Sequence, residues 1–310
     1  MKVLVTGGAG FIGSHVVQSL LRAGHEVCIV DSLWERGGGR MEHVPEEAAF
    51  YKVDIRDKAL SDVFATVRPQ VVCHLAAQHS VRISTEMPKY DAEVNILGLI
   101  NVLQCCTRFA AHKIIYSSSA ATYGTAKRMP VDEGTPQHPE SPYGTTKLAG
   151  EHYLRFWKAM HGLDYTALRY GNVYGPRQDP TGEAGVIAIF ARAFLMEEPV
   201  RIEWDGEQQK DYVYVEDVAR ANLCSLDRGS GEAYCIATGE GTSVNQLYRQ
   251  LAEIVGYEVQ IIPAPKRPGD IRVSYFDCSK AKAHLGWEAT VSLDRGMRAT
   301  VDYFRQQLSL

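Results

Sequence analysis

The sequence predicts an α/β protein with a doubly wound parallel sheet and a smaller lobe towards the carboxyl end. Three observations support this prediction. Short apolar runs rich in β-branched residues alternate with helix-length segments, a glycine-rich turn joins the first run to the first helix, and turn-forming residues cluster beyond residue 171. Alternation of this kind is typical of a sheet with helices on both faces.

The predicted strands are continuously apolar. They cover residues 3–6, 27–30, 71–74, 114–117 and 165–169, and a helix-length segment follows each of them. A strand that is apolar on both faces needs a covering layer on both faces, as in a parallel sheet. Two later helical segments are long, at about residues 92–110 and 143–161.

The regular alternation weakens after residue 171, so we predict a sheet domain over residues 1–171 and a smaller lobe over residues 172–310. Gly-Pro, Asp-Pro and Asp-Gly pairs interrupt this second part. Within it, residues 211–228 have the pattern of a strand and a helix that pack back on the first sheet. We therefore expect an interleaved boundary.

Composition limits the classes of function. Of the 310 residues, 45% are hydrophobic and 23% charged, and the formal net charge is −4, which argues against nucleic acid as a general partner. No apolar run reaches about 18 residues and the amino terminus lacks a signal-peptide pattern, so we expect no membrane span and a cytoplasmic location. The seven cysteines and ten histidines have no metal-ligand spacing, and we predict free thiols and no metal.

A glycine motif follows the first predicted strand. Gly8-x-Gly10-x-x-Gly13 fits the dinucleotide fingerprint, and Gly7-x-x-Gly10-x-x-Gly13 fits its wider variant. Glycine is needed there because the turn is tight, the pyrophosphate approaches the backbone, and the helix sits close to its strand. The helix N-terminus then offers free N–H groups to the phosphates. The motif predicts a Rossmann dinucleotide site.

The second predicted strand ends at Asp31, eighteen residues after Gly13. A carboxylate at this position accepts hydrogen bonds from the adenosine ribose hydroxyls and repels a 2′-phosphate. The sequence therefore favours NAD(H) over NADP(H).

A candidate catalytic pair lies at the start of the second long helix. Tyr143 and Lys147 are four residues apart, which places the phenol and the ammonium on one helical face. An ordinary tyrosine pKa of about 10 is too high for a base at neutral pH, and a neighbouring cation is expected to lower it. Upstream, the strand at residues 114–117 ends in the hydroxyls Ser117 to Ser119, which can hold a substrate oxygen beside this tyrosine.

In combination, these motifs resemble the extended short-chain dehydrogenase/reductase superfamily, in its NAD-dependent nucleotide-sugar epimerase/dehydratase branch. The resemblance covers essentially the whole chain and is closest to the UDP-glucose (UDP-galactose) 4-epimerases of that branch. The motifs that carry it are TGGAGFIGSH at 6–15, VDIRD at 53–57, HLAAQ at 74–78, YSSSAATYG at 116–124, SPYGTTK at 141–147, LRYGNVYGPRQDP at 168–180, KDYVYVEDVA at 210–219 and RPGD at 267–270.

The resemblance implies roles for individual residues. It gives Ser119, Tyr143 and Lys147 as the catalytic residues, with Lys147 also on the nicotinamide ribose. It implies an NAD site with Asp54 and Ile55 beside the adenine and Asn95 behind the cofactor. The cofactor residues so implied are Gly7, Gly10, Phe11, Ile12, Gly13, Asp31, Ser32, Asp54, Ile55, Leu75, Ala76, Ala77, Asn95, Ser117, Tyr143, Lys147 and Tyr170. The substrate residues so implied are Ser119, Tyr143, Asn172, Val186, Lys210, Arg267, Asp270 and Ser274.

Members of this branch begin by removing a hydride from C4 of the sugar. Its dehydratases resemble one another in carrying an Asp-Glu pair after the hydroxyl residue, and here Ala120 and Ala121 occupy those positions. Neither alanine transfers a proton, so the sequence favours 4-epimerisation over elimination. Alternatives are a UDP-glucuronate 4-epimerase, a nucleotide-sugar oxidoreductase or dehydratase, and a non-catalytic NAD-binding protein, which the Tyr143–Lys147 pair disfavours.

The expected substrate is a UDP-hexose. Lys210 stands where arginine is usual in the family, and Glu203 and Trp204 replace an apolar residue and a glycine near the expected base site. The residue seven positions after Arg267 is a size gate in resembling epimerases. Here it is Ser274, which predicts that the N-acetylated pair is accepted in addition to UDP-glucose and UDP-galactose, whereas a one-residue shift would place Tyr275 there. The resemblance also implies a homodimer through the two long helical segments.

Overall fold

The structure is a computed structural model that describes residues 1–34, 37–181, 185–266 and 271–309. The strands are β1 Lys2–Thr6, β2 Glu26–Asp31, β3 Ala49–Lys52, β4 Val71–His74, β5 Lys113–Ser119, β6 Asp164–Tyr170, β7 Asn172–Tyr174, β8 Val200–Glu203, β9 Gln209–Lys210, β10 Tyr212–Tyr214, β11 Glu232–Ile236, β12 Thr242–Ser243, β13 Ile261–Ala264 and β14 Val273–Ser274. The helices are α1 Phe11–Arg22, α2 Leu60–Val67, α3 Val81–Glu86, α4 Pro88–Ala92, α5 Gly98–Arg108, α6 Pro142–His161, α7 Val186–Leu195, α8 Val215–Cys224, α9 Val244–Val255, α10 Ser279–Leu285 and α11 Leu293–Gln307.

In the described residues, a parallel sheet of seven strands has the order β11-β6-β5-β4-β1-β2-β3. This confirms the predicted fold class. The five apolar runs correspond to β1, β2, β4, β5 and β6. The edge strands β3 and β11 were not predicted, because each has an exposed, charged residue at one end, which weakens the apolar signal.

Successive residues of a strand pack into two different hydrophobic cores, one on each face of the sheet. Val3 and Val5 pack in the core beneath α1 and α8, whereas Leu4 packs in the core beneath α2, α5 and α6. Side chains on a strand alternate between faces, so a strand buried on both sides is apolar throughout. Helix α8 packs on α1, and β11 joins the central sheet. The part of the chain after residue 171 therefore contributes one strand to the sheet and one helix to the layer that covers it.

The smaller lobe has a hydrophobic core of its own. Residues of α7, α9 and α11 pack there with β8, and short strand pairs surround them, β10 with β7, β13 with β8, and β9 between β12 and β14. No helix within the described ranges combines the length and apolar character that a membrane crossing requires.

The first long helical segment is interrupted. Helix α4 is followed by a π-helical turn at Glu93–Leu97, and only then does α5 begin at Gly98. The second segment is the continuous helix α6, which starts at the cap Ser141 and ends at Gly162 in the left-handed conformation, with φ +71°. Residues of α5 and α6 pack on one face of the sheet. The strand order reverses between β1 and β4, and ligands bind at such a point in open α/β folds.

Candidate active site

The glycine turn between β1 and α1 is too tight for side chains. Gly7 has φ +71°, and a Cβ at Gly13 would overlap the carbonyl oxygen of Gly7. Helix α1 begins at Phe11, and the cap residue Gly10 has no side chain that could occupy the first amides. The N–H groups of Phe11, Ile12 and Gly13 are thereby left for an anion at the helix N-terminus.

Asp31 braces this turn from the end of β2. Its carboxylate accepts hydrogen bonds from the N–H of Ala9 (3.1 Å) and the N–H of Leu33 (2.9 Å). Burial raises the pKa of Asp31, and the backbone hydrogen bonds, including one from Ser32, oppose that rise. The carboxylate is therefore held in place at the position where the sequence predicts contact with a ribose.

The loop after β4 forms the other wall of the cleft. A Cβ on Gly7 would overlap the backbone of Ala76, and the N–H of Ala76 donates to Oγ1 of Thr6 at 3.3 Å. Asn95 holds the end of this loop, because its Oδ1 accepts from the N–H of Gln78 (2.8 Å) and its Nδ2 donates to the carbonyl of Gln78 (2.9 Å). Leu75 to Ala77 are thus fixed against the glycine turn.

At the far end of the cleft, the predicted residue Asp54 meets side chains that the sequence did not single out. Asp54 accepts two hydrogen bonds from the Arg56 guanidinium (2.9 and 2.7 Å), and this contact lowers the pKa of Asp54. Arg56 in turn lies 5.5 Å from the ring of Tyr90, which packs 5.4 Å from Trp34. These aromatic contacts join segments that are distant in sequence, so no local sequence motif predicts them. Ile55 is buried beneath Gly98.

The catalytic candidates meet at the N-terminus of α6. The Ser141 hydroxyl accepts from the N–H of Gly144 at 3.0 Å and fixes the first turn of the helix. A Cβ on Gly144 would overlap the Ala121 carbonyl, so glycine lets this turn approach the residues after β5. Tyr143 consequently lies close enough to Ser119 for the Ser119 side chain to lower the pKa of the phenol.

Lys147 lies one turn further along α6 and is buried. Its Nζ donates to the Ser117 carbonyl at 2.8 Å and lies 5.8 Å from the centre of the Tyr143 ring. The structure thus brings together Ser117, Ser119, Tyr143 and Lys147.

Burial dominates the ionisation of this pair. It raises the pKa of Tyr143 to about 12, although the hydrogen bond from Ser119 lowers it. Burial also lowers the pKa of Lys147 to about 8, against the favourable charge of Asp91. Desolvation of the phenolate thus sets the direction of the Tyr143 pKa in this structure, and the lowering expected from the neighbouring cation stays a prediction.

The other predicted residues lie in different surroundings. Tyr170 is buried at the end of β6, where its hydroxyl accepts from Asn222 Nδ2 at 2.9 Å. Asn172 is exposed at the start of β7, and Val186 is the first residue of α7. Lys210 Nζ donates to the Ile271 carbonyl at 2.7 Å. Arg267 and Asp270 lie outside the described residues.

Trp204 has an unexpected environment. Its φ is +59°, in the left-handed region that favours glycine, and two cations lie near its ring, Lys266 Nζ at 4.2 Å and the Arg272 guanidinium at 4.6 Å from the ring centre. Arg272 also pairs with Asp205, with Nη1 at 2.6 and 2.8 Å from its two carboxylate oxygens. Positive charge thus collects around the Trp204 ring.

Two buried carboxylates near α6 also escaped the sequence analysis. Asp91 receives a hydrogen bond from Thr146 at 2.8 Å, and Glu151 pairs with Arg169 at 2.6 Å. Their i, i+4 spacing with Asn95 and Lys147 gave no signal of burial, because this spacing occurs on every helix. Within the described residues, no group of three or more potential ligands is arranged to hold a metal ion.

Comparison with known proteins places this geometry in context. A family model described as GDP-mannose 4,6 dehydratase matches residues 4–300. The chain is 48% identical to the UDP-glucose 4-epimerase of Thermotoga maritima, solved with UDP-glucose, over 99% of this chain and 100% of that one, with a TM-score of 0.96. It is 43% identical to the UDP-glucose 4-epimerase of Thermus thermophilus, solved with NAD, over 98% and 99% of the two chains, with a TM-score of 0.93.

A third similar structure has a larger ligand. It is the UDP-N-acetylglucosamine 4-epimerase of Methanobrevibacter ruminantium in complex with UDP-N-acetylmuramic acid, 34% identical over 99% of this chain and 98% of that one, with a TM-score of 0.93.

Proposed function

The chain belongs to the extended short-chain dehydrogenase/reductase superfamily, in the family described as GDP-mannose 4,6 dehydratase, and from this premise we propose that it is an NAD-dependent 4-epimerase of UDP-hexoses. One observation carries the proposal. Ser119, Tyr143 and Lys147 are assembled at one helix N-terminus, while the two positions that follow Ser119 are alanines. The site has one acid–base group for C4 and no second pair for elimination at these positions.

The residues of the cleft fit a dinucleotide. The glycine turn has no room for a Cβ where a pyrophosphate would approach, and the amides of Phe11 to Gly13 face that point. Asp31 would hold the adenosine ribose, Asp54 and Ile55 would border the adenine, and Lys147 would hold the nicotinamide ribose. Bound NAD⁺ supplies an acceptor that takes the C4 hydride and returns it to the same carbon, so the reaction has no net redox change.

The residues of this chain manage the proton. Tyr143 takes the proton of the C4 hydroxyl, and Ser119, which already contacts the Tyr143 phenol, holds the same substrate oxygen. The Lys147 ammonium favours the phenolate that a base requires. After the 4-keto sugar turns over in the site, Tyr143 returns the proton and the other epimer forms.

Rotation of the sugar requires that affinity reside in the nucleotide. We assign this binding to Asn172, Val186, Lys210, Arg267 and Asp270, by their match to the family pattern. Lys210 supplies a point charge for the diphosphate rather than a bidentate fork. The base is uracil, by likeness to the UDP-sugar enzymes.

The register of β14 supports Ser274 as the residue that limits sugar size. Ser274 lies opposite Lys210, and Val273 lies opposite Gln209. A Cβ on Gly241 would lie 3.2 Å from Cδ1 of Tyr275 and 3.0 Å from Oε1 of Gln209, so the Tyr275 ring is on the Gln209 side. Because neighbouring residues of a strand face opposite ways, Ser274 shares the face of Lys210. A serine there leaves room for an N-acetyl group.

Dimerisation through the long helices is part of the same proposal. Leu97, Phe156 and Met160 are 59%, 52% and 64% exposed, and the last two are four residues apart on α6. Large apolar side chains on one exposed helical face favour association with a second copy. Sedimentation of the wild type as a dimer and of Phe156→Glu as a monomer is expected. A wild type that sediments at 34.4 kDa would contradict this part of the proposal.

A cytoplasmic location also remains a proposal. All seven cysteines lie in the described residues and are free thiols. Thiols persist in reducing compartments, which is consistent with the cytoplasm.

The central experiment supplies UDP-glucose, UDP-galactose, their N-acetylated counterparts and UDP-glucuronate to the purified protein without added cofactor. We expect interconversion of the first two pairs and release of NAD(H) on denaturation. Tyr143→Phe should lower turnover by a factor of about 10² to 10⁴ while cofactor binding persists. Near wild-type turnover in that variant, or NADP as the released nucleotide, would contradict the assignment.

The size gate needs its own comparison. Ser274→Tyr should reduce turnover of the N-acetylated pair much more than that of the plain pair, because added bulk clashes only with the larger substituent. Equal losses for both pairs would show that Ser274 is not the gate.

A further inference from the structure

Asp91 is a fully buried carboxylate in α4. Among the described residues its side-chain donors are neutral: Gln78 Nε2 at 2.7 Å, Asn95 Nδ2 at 3.0 Å and Thr146 Oγ1 at 2.8 Å. Burial raises the pKa of Asp91, and the hydrogen bonds from Thr146 and Gln78 oppose that rise because they favour the carboxylate. None of these side-chain partners carries a positive charge that would neutralise the carboxylate.

The position of this charge relative to α6 is fixed. Thr146 immediately precedes Lys147, and its hydroxyl also lies 3.0 Å from the Tyr143 carbonyl. Asp91 thus reaches, through one hydrogen bond, the helical turn that separates the two catalytic residues. The π-helical turn after α4 carries Asn95, which binds both Asp91 and the backbone of Gln78 in the cofactor loop. Such single-turn π-bulges occur frequently at functional sites.

Lys147 is the buried cation that feels this charge. The charged and titratable groups around it come from β4, the loop after β4, β5, α4 and α6, and they are His74, His79, Tyr116, Asp91, Tyr143 and Glu151. Burial lowers the pKa of His74 to about 3 and also lowers that of His79, so both are neutral at pH 7. Glu151 is neutralised by its pair with Arg169. Asp91 remains as the carboxylate that favours the ammonium.

We propose that Asp91 is a positioning residue that orders, through Thr146, the turn between Tyr143 and Lys147 and supplies the carboxylate that acts on the buried Lys147 side chain. The proposal rests on the assigned roles of Tyr143 and Lys147 in the epimerase function. Asp91 acts through Lys147. Of the predicted cofactor residues, Asp91 contacts Asn95.

The direct test is a titration of Lys147 by NMR in protein labelled with ¹³C at lysine Cε, the signal being assigned by its loss in Lys147→Met. In the wild type we expect a pKa near 8. Asp91→Asn should titrate about one unit lower, because loss of a nearby opposite charge disfavours the ammonium. The same Lys147 pKa in both proteins would overturn the proposal. This measurement does not depend on catalysis, so it separates the proposal from the assigned function.

Activity supplies the second measurement. With UDP-galactose as substrate, the falling alkaline limb of the kcat profile should move to lower pH by about one unit in Asp91→Asn, so turnover above this limb falls about tenfold. A lower kcat with an unmoved pH profile would show a merely structural role. If neither protein turned over UDP-sugars while Lys147 still shifted, the assigned function would fail and the coupling would stand.

Two control variants separate charge from packing. Thr146→Val removes one hydrogen bond to Asp91 but leaves both charges, so it should reduce kcat without moving the pH profile. Asp217→Asn alters another buried carboxylate, in the first turn of α8, which accepts from the N–H groups of Thr290 and Val291. It should lower stability and leave the Lys147 titration unchanged. A shift of equal size in either control would overturn the electrostatic assignment.

The proposal stays testable if Asp91→Asn does not fold. Coupling between two titrating sites is reciprocal, so neutralising Lys147 must raise the pKa of Asp91. Titration of the Asp91 carboxyl ¹³C signal in the wild type and in Lys147→Met should show that rise. An unchanged Asp91 pKa would refute the coupling by itself.

Discussion

Glu151 and Asp91 are buried carboxylates on two sides of the catalytic residues, and their charges are compensated in different ways. Glu151, on α6, binds the Arg169 guanidinium of β6 through two contacts of 2.9 and 2.6 Å. Asp91, on α4, receives hydrogen bonds from neutral groups. The first charge is neutralised at contact distance, whereas the second acts on Lys147. Both carboxylates are buried, so the difference lies in the hydrogen-bonding partner. A carboxylate paired with a cation stabilises the fold, whereas one bound by neutral groups can act on a neighbouring catalytic residue.

The paired side is also a structural junction. Ser118 Oγ donates to Glu151 at 2.5 Å, and Arg169 Nη1 donates to the Tyr123 hydroxyl at 2.6 Å. The network ties β5, β6 and α6 together one residue away from Ser119. It therefore fixes the distance between the two strands and the helix that carry the catalytic groups.

The largest effect is expected from breaking the paired side. Arg169→Met leaves Glu151 buried without its cation, which should lower the free energy of unfolding by about 3–5 kcal/mol. Urea denaturation monitored by tryptophan fluorescence measures the loss. The double variant Glu151→Gln/Arg169→Met should recover much of it, since both charges are then gone. A loss below about 1 kcal/mol in Arg169→Met would show that the pair is not the brace described here.

A smaller loss is expected when the pair keeps its cation but loses one donor. Ser118→Ala removes the hydroxyl hydrogen bond to the Glu151 carboxylate, and hydrogen bonds to charged groups contribute about 1.5–3 kcal/mol. The free energy of unfolding should fall by that amount, while the pH profile of kcat stays in place because Asp91 and Lys147 are unchanged. A displaced profile would mean that the two sides of α6 are coupled.

Near Asp91, replacing the buried cation Lys147 is expected to raise the free energy of unfolding, the opposite of the effect at Arg169. The pKa of Lys147 is about 8 in the folded chain and about 10.4 when unfolded, so folding penalises the ammonium below pH 8 and the penalty disappears as pH rises towards 10.4. Lys147→Met should therefore stabilise the protein at pH 7 by about 1–2 kcal/mol, after the lost hydrogen bond to Ser117 and the lost attraction of Asp91 are allowed for. Turnover should collapse. Denaturation at pH 7 and pH 10 tests this, and equal destabilisation at both values would contradict it.

The sheet was predictable because burial on both faces leaves a direct mark on the sequence. The apolar runs located β1, β2, β4, β5 and β6, and the helical segment predicted at about 143–161 corresponds to α6. Local chemistry was equally informative for the glycine turn. In each case neighbouring residues in sequence determine the feature.

What could not be predicted depends on long-range packing. The i, i+4 spacing placed Lys147 beside Tyr143 correctly, yet the direction of the tyrosine pKa followed from burial, which no spacing reveals. Asp91 and Glu151 looked like ordinary helical acids until the structure placed both in the interior. The break between α4 and α5 was likewise hidden, because residues 92–110 retain a helical pattern across it.

That break has a consequence for insertions and deletions. A π-helical turn contains one residue more than an α-helical turn, and each residue rotates a helix by about 100°. The extra residue lets Asp91 and Asn95 face the interior while Leu97 faces outward. Deleting one residue from 93–97 would restore an even helix and turn one of these surfaces out of register. The number of residues in 93–97 therefore determines which side chains face the interior and which lie on the exposed helical face. The length of this segment is constrained even at positions where the side chain is not.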